Sequence, residues 1–147
     1  MENLSKLSER LAELMTEQGL KPLDLAQKIG VSRNTVTRYL QGERLPSFET
    51  FIKLLEALQC SADCLLGLVD FPPEHVVFHA VPPFCERFRA LMKEYGMSQY
   101  RLHQKTRLSY DNFNAWLKGT RLPYIDNLIK LAKAFDCSVD YLIGRVL

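Results

Sequence analysis

Apolar residues recur at helical intervals along most of the chain. Leu7, Leu11, Leu14 and Met15 share one face, and the run stops at Gly19. A second helix is predicted to open at Pro22, which suits a first turn. It buries Leu25, Ala26 and Ile29 and ends at Gly30. Ser32 is a good N-cap for a third helix over residues 33–41, stopped by Gly42. Ser47 caps a fourth, whose stripe is Phe51, Leu54, Leu55 and Leu58, with Glu49 near its positive end. Ser61 caps a last short helix with Leu65 and Leu66, closed by Gly67. No strand fits within these residues, so the pattern predicts a compact five-helix unit.

The pattern then repeats. Displaced by 77 residues, the sequence falls on itself without a gap, and residues 9–70 share 25 identities with residues 86–147. Gly42-x-Arg44-Leu45-Pro46 meets Gly119-x-Arg121-Leu122-Pro123, and Cys60-Ser61 meets Cys137-Ser138. The chain therefore reads as two copies of one module, over residues 1–70 and 84–147. Residues 71–83 form the linker, bracketed by Pro72-Pro73 and Pro82-Pro83, pairs that do not suit a helix interior. Between them, Val76 to Val81 is β-branched and aromatic, and reads as an extended or strand-like segment. A lone apolar strand needs a partner edge. The expectation is a homodimer through residues 76–81, against a competing reading in which Val77, Phe78 and Val81 fold back onto the modules.

In the first copy, Leu25-Ala26-x3-Gly30-Val31-Ser32-x3-Val36-x2-Tyr39-x2-Gly42-x3-Pro46 resembles the lambda-repressor-like, or Cro/CI-type (XRE family), helix-turn-helix domain. The ending from Leu58 to Gly67, and its counterpart from Phe135 to Gly144, is also similar to that family. The resemblance implies an all-α fold of two tandem five-helix domains, and duplex DNA as the ligand. Physical reasons stand beside it. Two steeply crossing helices need a small residue at their contact, here Ala26. The sharp turn needs a positive φ, easiest for Gly30. Val36 plugs the angle, and the outer face of the third helix is left for the major groove.

Val36, Tyr39 and Leu40 are expected to point inward, leaving Arg33, Asn34, Thr37 and Arg38 outside. Arginine can chelate guanine O6 and N7, and asparagine adenine N6 and N7. The resemblance makes the positions of Arg33, Asn34 and Arg38 base readers. Lys28 and Arg44 suit phosphate. The second copy departs from this pattern. His103 stands for Ala26 and Arg107 for Gly30, while Tyr110, Asp111 and Ala115 stand for Arg33, Asn34 and Arg38. Gln99, Lys118 and Arg121 remain candidates for phosphate, and Tyr110, Asn112 and Asn114 for a second reading set. Copy two is thus either an altered DNA reader or a docking module.

Composition adds bounds. The 147 residues are 47% hydrophobic and 24% charged, as in an ordinary globular protein. Net charge is +2, with 8 basic and 10 acidic side chains in residues 1–70 and 11 and 7 in residues 71–147. Any nucleic-acid binding must then come from placed charges rather than bulk field. No apolar run approaches a membrane span and no signal peptide is visible, so the expected location is the cytoplasm, at the nucleoid. The four cysteines read as reduced thiols. Cys60 and Cys64, even with His75 and His79 nearby, lack metal-site spacing, so no metal is expected. Cys85 and His103 have neither an orienting group nor a nucleophile-elbow pattern, so no catalysis, cofactor or small-molecule ligand is expected. The sequence predicts a DNA-binding transcriptional regulator, most simply a repressor. The alternative is an antitoxin-like adaptor whose second module grips a protein.

Overall fold

In the computed structural model the described residues are 2–147, with side chains from Lys6 onward. The described residues form ten α-helices and no strand. Two compact units divide the chain, Met1–Glu74 and His75–Leu147. No helix among the described residues is long and apolar enough to cross a membrane.

The first unit holds α1 (Glu2–Gln18), α2 (Pro22–Ile29), α3 (Arg33–Leu40), α4 (Phe48–Leu58) and α5 (Ala62–Leu65). Its helix starts follow the serines. The Oγ atoms of Ser32, Ser47 and Ser61 accept from the N–H groups of Thr35, Thr50 and Cys64, each satisfying one donor that the helix cannot. Leu7, Leu11, Leu25, Ile29, Val36, Phe51, Leu54 and Leu58 are buried in one mainly aliphatic core.

The second unit repeats the plan with α6 (Phe84–Glu94), α7 (Gln99–Thr106), α8 (Tyr110–Lys118), α9 (Ile125–Phe135) and α10 (Val139–Ile143). Its core is a different material. Leu7, Leu11, Val36, Tyr39 and Leu58 are replaced at equivalent positions by Phe84, Phe88, Phe113, Trp116 and Phe135, all buried. Phe88 sits at the centre. It stacks on Phe84 at 5.6 Å and meets Trp116 at 5.8 Å and Phe135 at 6.5 Å edge-on, the geometry that aromatic quadrupoles favour.

The linker does not form a strand. Its part from residue 75 onward belongs to the second unit, where Phe78 and His79 already have partners. The N–H of His79 donates to the carbonyl of Arg145 at 2.7 Å, and the Phe78 ring lies 4.1 Å from the Arg145 guanidinium carbon. Arg145 in turn pairs with Asp140 at 3.0 Å, both side chains being 4% exposed. Val77 remains 71% exposed.

At the turn between α7 and α8, Arg107 adopts the left-handed conformation (φ 63°) that Gly30 adopts in the first unit (φ 73°). A side chain costs about 1–2 kcal/mol in that region. Glycine would recover this less its own unfolded-state entropy of about 0.5–1 kcal/mol. Arg107 is exposed, so little packing is lost with it. Arg107→Gly should therefore stabilise the second unit by about 0.5–1 kcal/mol and raise its melting temperature by a few degrees, roughly. The single tryptophan, Trp116, lies in this unit's core and reports that melt by fluorescence. An unchanged or lower melting temperature would show that the arginine side chain holds the turn.

Candidate nucleic-acid interface

In the first unit, α2 and α3 form a tight helical corner. Ala26 is buried at the crossing, and its carbonyl accepts from the N–H groups of Gly30 and Val31 at 2.9 and 3.1 Å. This double acceptance closes α2 while Gly30 turns the chain. Upstream, the Asp24 carboxylate accepts from the Lys21 N–H at 2.9 Å and fixes the start of α2. Val36 and Tyr39 face the core, which fixes the rotation of α3. Leu40 is only half-buried.

That rotation leaves Arg33, Asn34 and Arg38 exposed. Among the described residues, neither arginine is in an ion pair, and α3 carries no acidic residue. Thr37 is half-buried and its hydroxyl donates to the Arg33 carbonyl at 3.1 Å, leaving its oxygen lone pairs as acceptors. Lys28, in the last turn of α2, and Arg44, in the loop after α3, are also exposed. Burial raises the Tyr39 phenol pKa, and the Arg44 charge and a hydrogen bond with Thr50 oppose that rise.

The second unit builds the same corner from other parts. His103 is half-buried where Ala26 would be. Its Nδ1 donates to the Leu108 carbonyl at 2.7 Å, and its ring stacks on Tyr110 at 4.9 Å. Tyr110, at the position of Arg33, also meets Phe113 edge-on. Its ring is therefore held from two sides, while 40% of the residue stays exposed. Thr106 helps close the turn, donating to the Leu102 carbonyl and accepting from the Leu108 N–H.

Several residues expected at the DNA surface are engaged within this unit. Gln99 Nε2 donates to Asn114 Oδ1 at 3.2 Å, tying α7 to α8. Arg121 donates to the Asp111 carbonyl at 3.3 Å and braces the loop after α8. Lys118 is exposed at the end of α8 and Asn112 is half-buried. Two residues that the motif did not single out stand out in the structure. Tyr100 on α7 is 64% exposed and Tyr124, N-cap of α9, is 72% exposed. Their signal in the sequence is a large aromatic where the first copy has Leu23 and Ser47.

The comparisons with known proteins fall on the same two units. Residues 11–63 match a family described as helix-turn-helix, and residues 87–146 match the Cro/C1-type HTH DNA-binding domain. An uncharacterized HTH-type transcriptional regulator, YobD, of Bacillus subtilis is 30% identical over 61 residues, covering 42% of this chain and 54% of that protein. The cryptic phage CTXphi transcriptional repressor RstR of Vibrio cholerae is 36% identical over 62 residues, covering 42% of this chain and 55% of its own length. The chain thus spans about half the length of the curated relatives it matches. Together, the corner geometry and the two domain matches show that the chain carries two Cro/C1-type helix-turn-helix domains in tandem.

Proposed function

We propose that the protein is a transcriptional regulator, acting as a repressor, that binds duplex DNA sequence-specifically with α3 in the major groove. The observation that carries this reading is the outer face of α3: Arg33, Asn34 and Arg38 are exposed, with no ion pair to either arginine among the described residues and no acid on the helix. Those side chains can read guanine and adenine edges. Arg44 and Lys28 supply phosphate contacts, and on α8 and its flanks Lys118 and Arg121 do the same if the second module also lies on DNA. This reading puts the protein in the cytoplasm, at the nucleoid.

One helix-turn-helix covers only a half-site, so specific binding calls for two. They come from the tandem modules of one chain or from two chains paired through residues 76–81, where Val77 is 71% exposed. Selection of bound sequences from random duplex DNA by the purified chain tests the proposal. A palindrome indicates paired chains, and two unlike half-sites indicate both modules of one chain. No enrichment overturns DNA reading.

Affinity should fall steeply with salt, because each neutralised phosphate releases counterions. The logarithmic slope is about −0.9 per contact, and a handful of contacts is expected. A flat dependence between low and physiological salt would remove DNA as the main ligand.

A second reading, for the second unit alone, is favoured by its exposed tyrosines. Tyr100, Tyr110 and Tyr124 are the kind of rigid amphipathic anchors that protein interfaces enrich, and Asp111 puts a negative charge at the base-reading place of Asn34. In that reading α8 docks a partner protein while α3 holds DNA.

A further inference from the structure

The second unit carries a cationic cleft that the DNA-reading proposal does not use. Helices α7 and α9 pack together, and a cleft of about 380 Å³ opens between them, lined by Lys105, Thr106, Lys130, Lys133 and Ala134. No residue of α8 lines it and no carboxylate does. All three lysines are exposed, and none is in an ion pair among the described residues.

The internal repeat shows what changed here. The equivalent residues of the first unit are Lys28, Ile29, Lys53, Glu56 and Ala57. There, Lys53 and Glu56 are three apart on α4, a spacing at which opposite charges attract. In α9 the same spacing holds Lys130 and Lys133, which repel. Lys105 and Lys133 lie in the last turns of their helices, where a cation is favoured by the helix dipole. Lys130 lies mid-helix, four residues after Asp126 and at the place of Lys53 in the first unit. The fold does not require Lys133, since Glu56 occupies that place in the other copy. A bound anion would turn the repulsion among the three ammonium groups into attraction.

We propose that this cleft is a binding site for adjacent phosphate groups. Lysine binds phosphate as a compact point charge. Three converging lysines suit a multiply charged phosphoanion better than a single carboxylate. The phosphates belong either to a free polyphosphorylated molecule or to the backbone of bound duplex DNA. The free-ligand case is independent of α3, and the backbone case rests on the DNA-binding reading above.

The test uses the whole chain, inorganic tripolyphosphate and the selected duplex. Lys133→Glu restores the first-copy residue, and Lys93→Glu, an exposed lysine on α6, makes the same charge change elsewhere. For a free ligand, tripolyphosphate should bind saturably with amide shifts confined to α7 and α9. Lys133→Glu should weaken that binding at least tenfold, roughly, and Lys93→Glu should not, as expected for loss of one of three converging charges. For the DNA backbone, tripolyphosphate shifts would be absent. Lys133→Glu would then lower affinity for selected and random duplexes alike and reduce the salt slope by about one, with Lys93→Glu near wild type. Equal effects of the two variants, or none from either probe, would overturn the site. Arg38→Ala on the same duplex separately reports whether α3 reads DNA.

Discussion

Arg145→Ala should destabilise the second unit by about 3–5 kcal/mol, the range for removing one partner of a buried ion pair. Arg145 and Asp140 are both 4% exposed and 3.0 Å apart, so the variant takes the cation from a carboxylate that water hardly reaches. It also takes the guanidinium from the Phe78 ring. The Arg145 carbonyl still accepts from His79, so the start of the unit loosens rather than detaching outright. The protein holds its own control. Arg10 and Asp70 form an ion pair at 3.2 Å, with their side chains 24% and 86% exposed, and Arg10 also donates to the Asp70 carbonyl. Breaking an exposed pair costs less than about 1 kcal/mol, so Arg10→Ala should be nearly neutral. Urea unfolding followed by Trp116 fluorescence gives the Arg145 value, and circular dichroism gives the Arg10 value. Similar small losses for both would show that the buried pair is hydrated in solution.

Phe88→Ala should cost the second unit about 3–5 kcal/mol as well, for a different reason. Phe88 is fully buried and touches Phe84, Phe113, Trp116 and Phe135. Alanine there leaves a cavity whose rigid aromatic walls cannot collapse inward. Phe88→Leu should cost less, because the first unit carries Leu11 at that place with the same helix plan. Trp116 lies 5.8 Å from Phe88, so its emission should also shift red as water enters. A loss below about 1 kcal/mol for the alanine variant would mean that the aromatic cluster repacks freely.

The elements legible in the sequence are those fixed by local chemistry. A serine before a helical stripe bonds an N–H three residues on, and Ser32, Ser47, Ser61, Ser98, Ser109 and Ser138 all do so. The turn of the first corner was legible because Gly30 announces its positive φ. The second corner takes the same backbone conformation with Arg107, so the packing of α7 against α8 outweighs the residue's preference. The partners of the linker were not legible. Phe78 and Arg145 are far apart in the chain, and neither periodicity nor spacing links a cation to a distant ring. The bond from Gln99 to Asn114 is hidden for the same reason. Candidate base readers could be chosen on α3 because Val36 and Tyr39 fix its rotation. On α8 the held Tyr110 ring and the engaged Asn114 required coordinates.

The most direct test of the central claim, that α3 of the first module reads the DNA sequence, is a paired affinity measurement on the selected duplex and on random duplex. Arg33→Ala and Arg38→Ala should each cost about 1–3 kcal/mol on the selected site, relax one base position and change random-duplex binding much less. Tyr110→Ala, at the Arg33 position of the second module, should leave the preferred sequence of the first half-site unchanged. Equal losses on selected and random DNA would reduce the two arginines to phosphate contacts, and full retention of specificity without them would contradict the account.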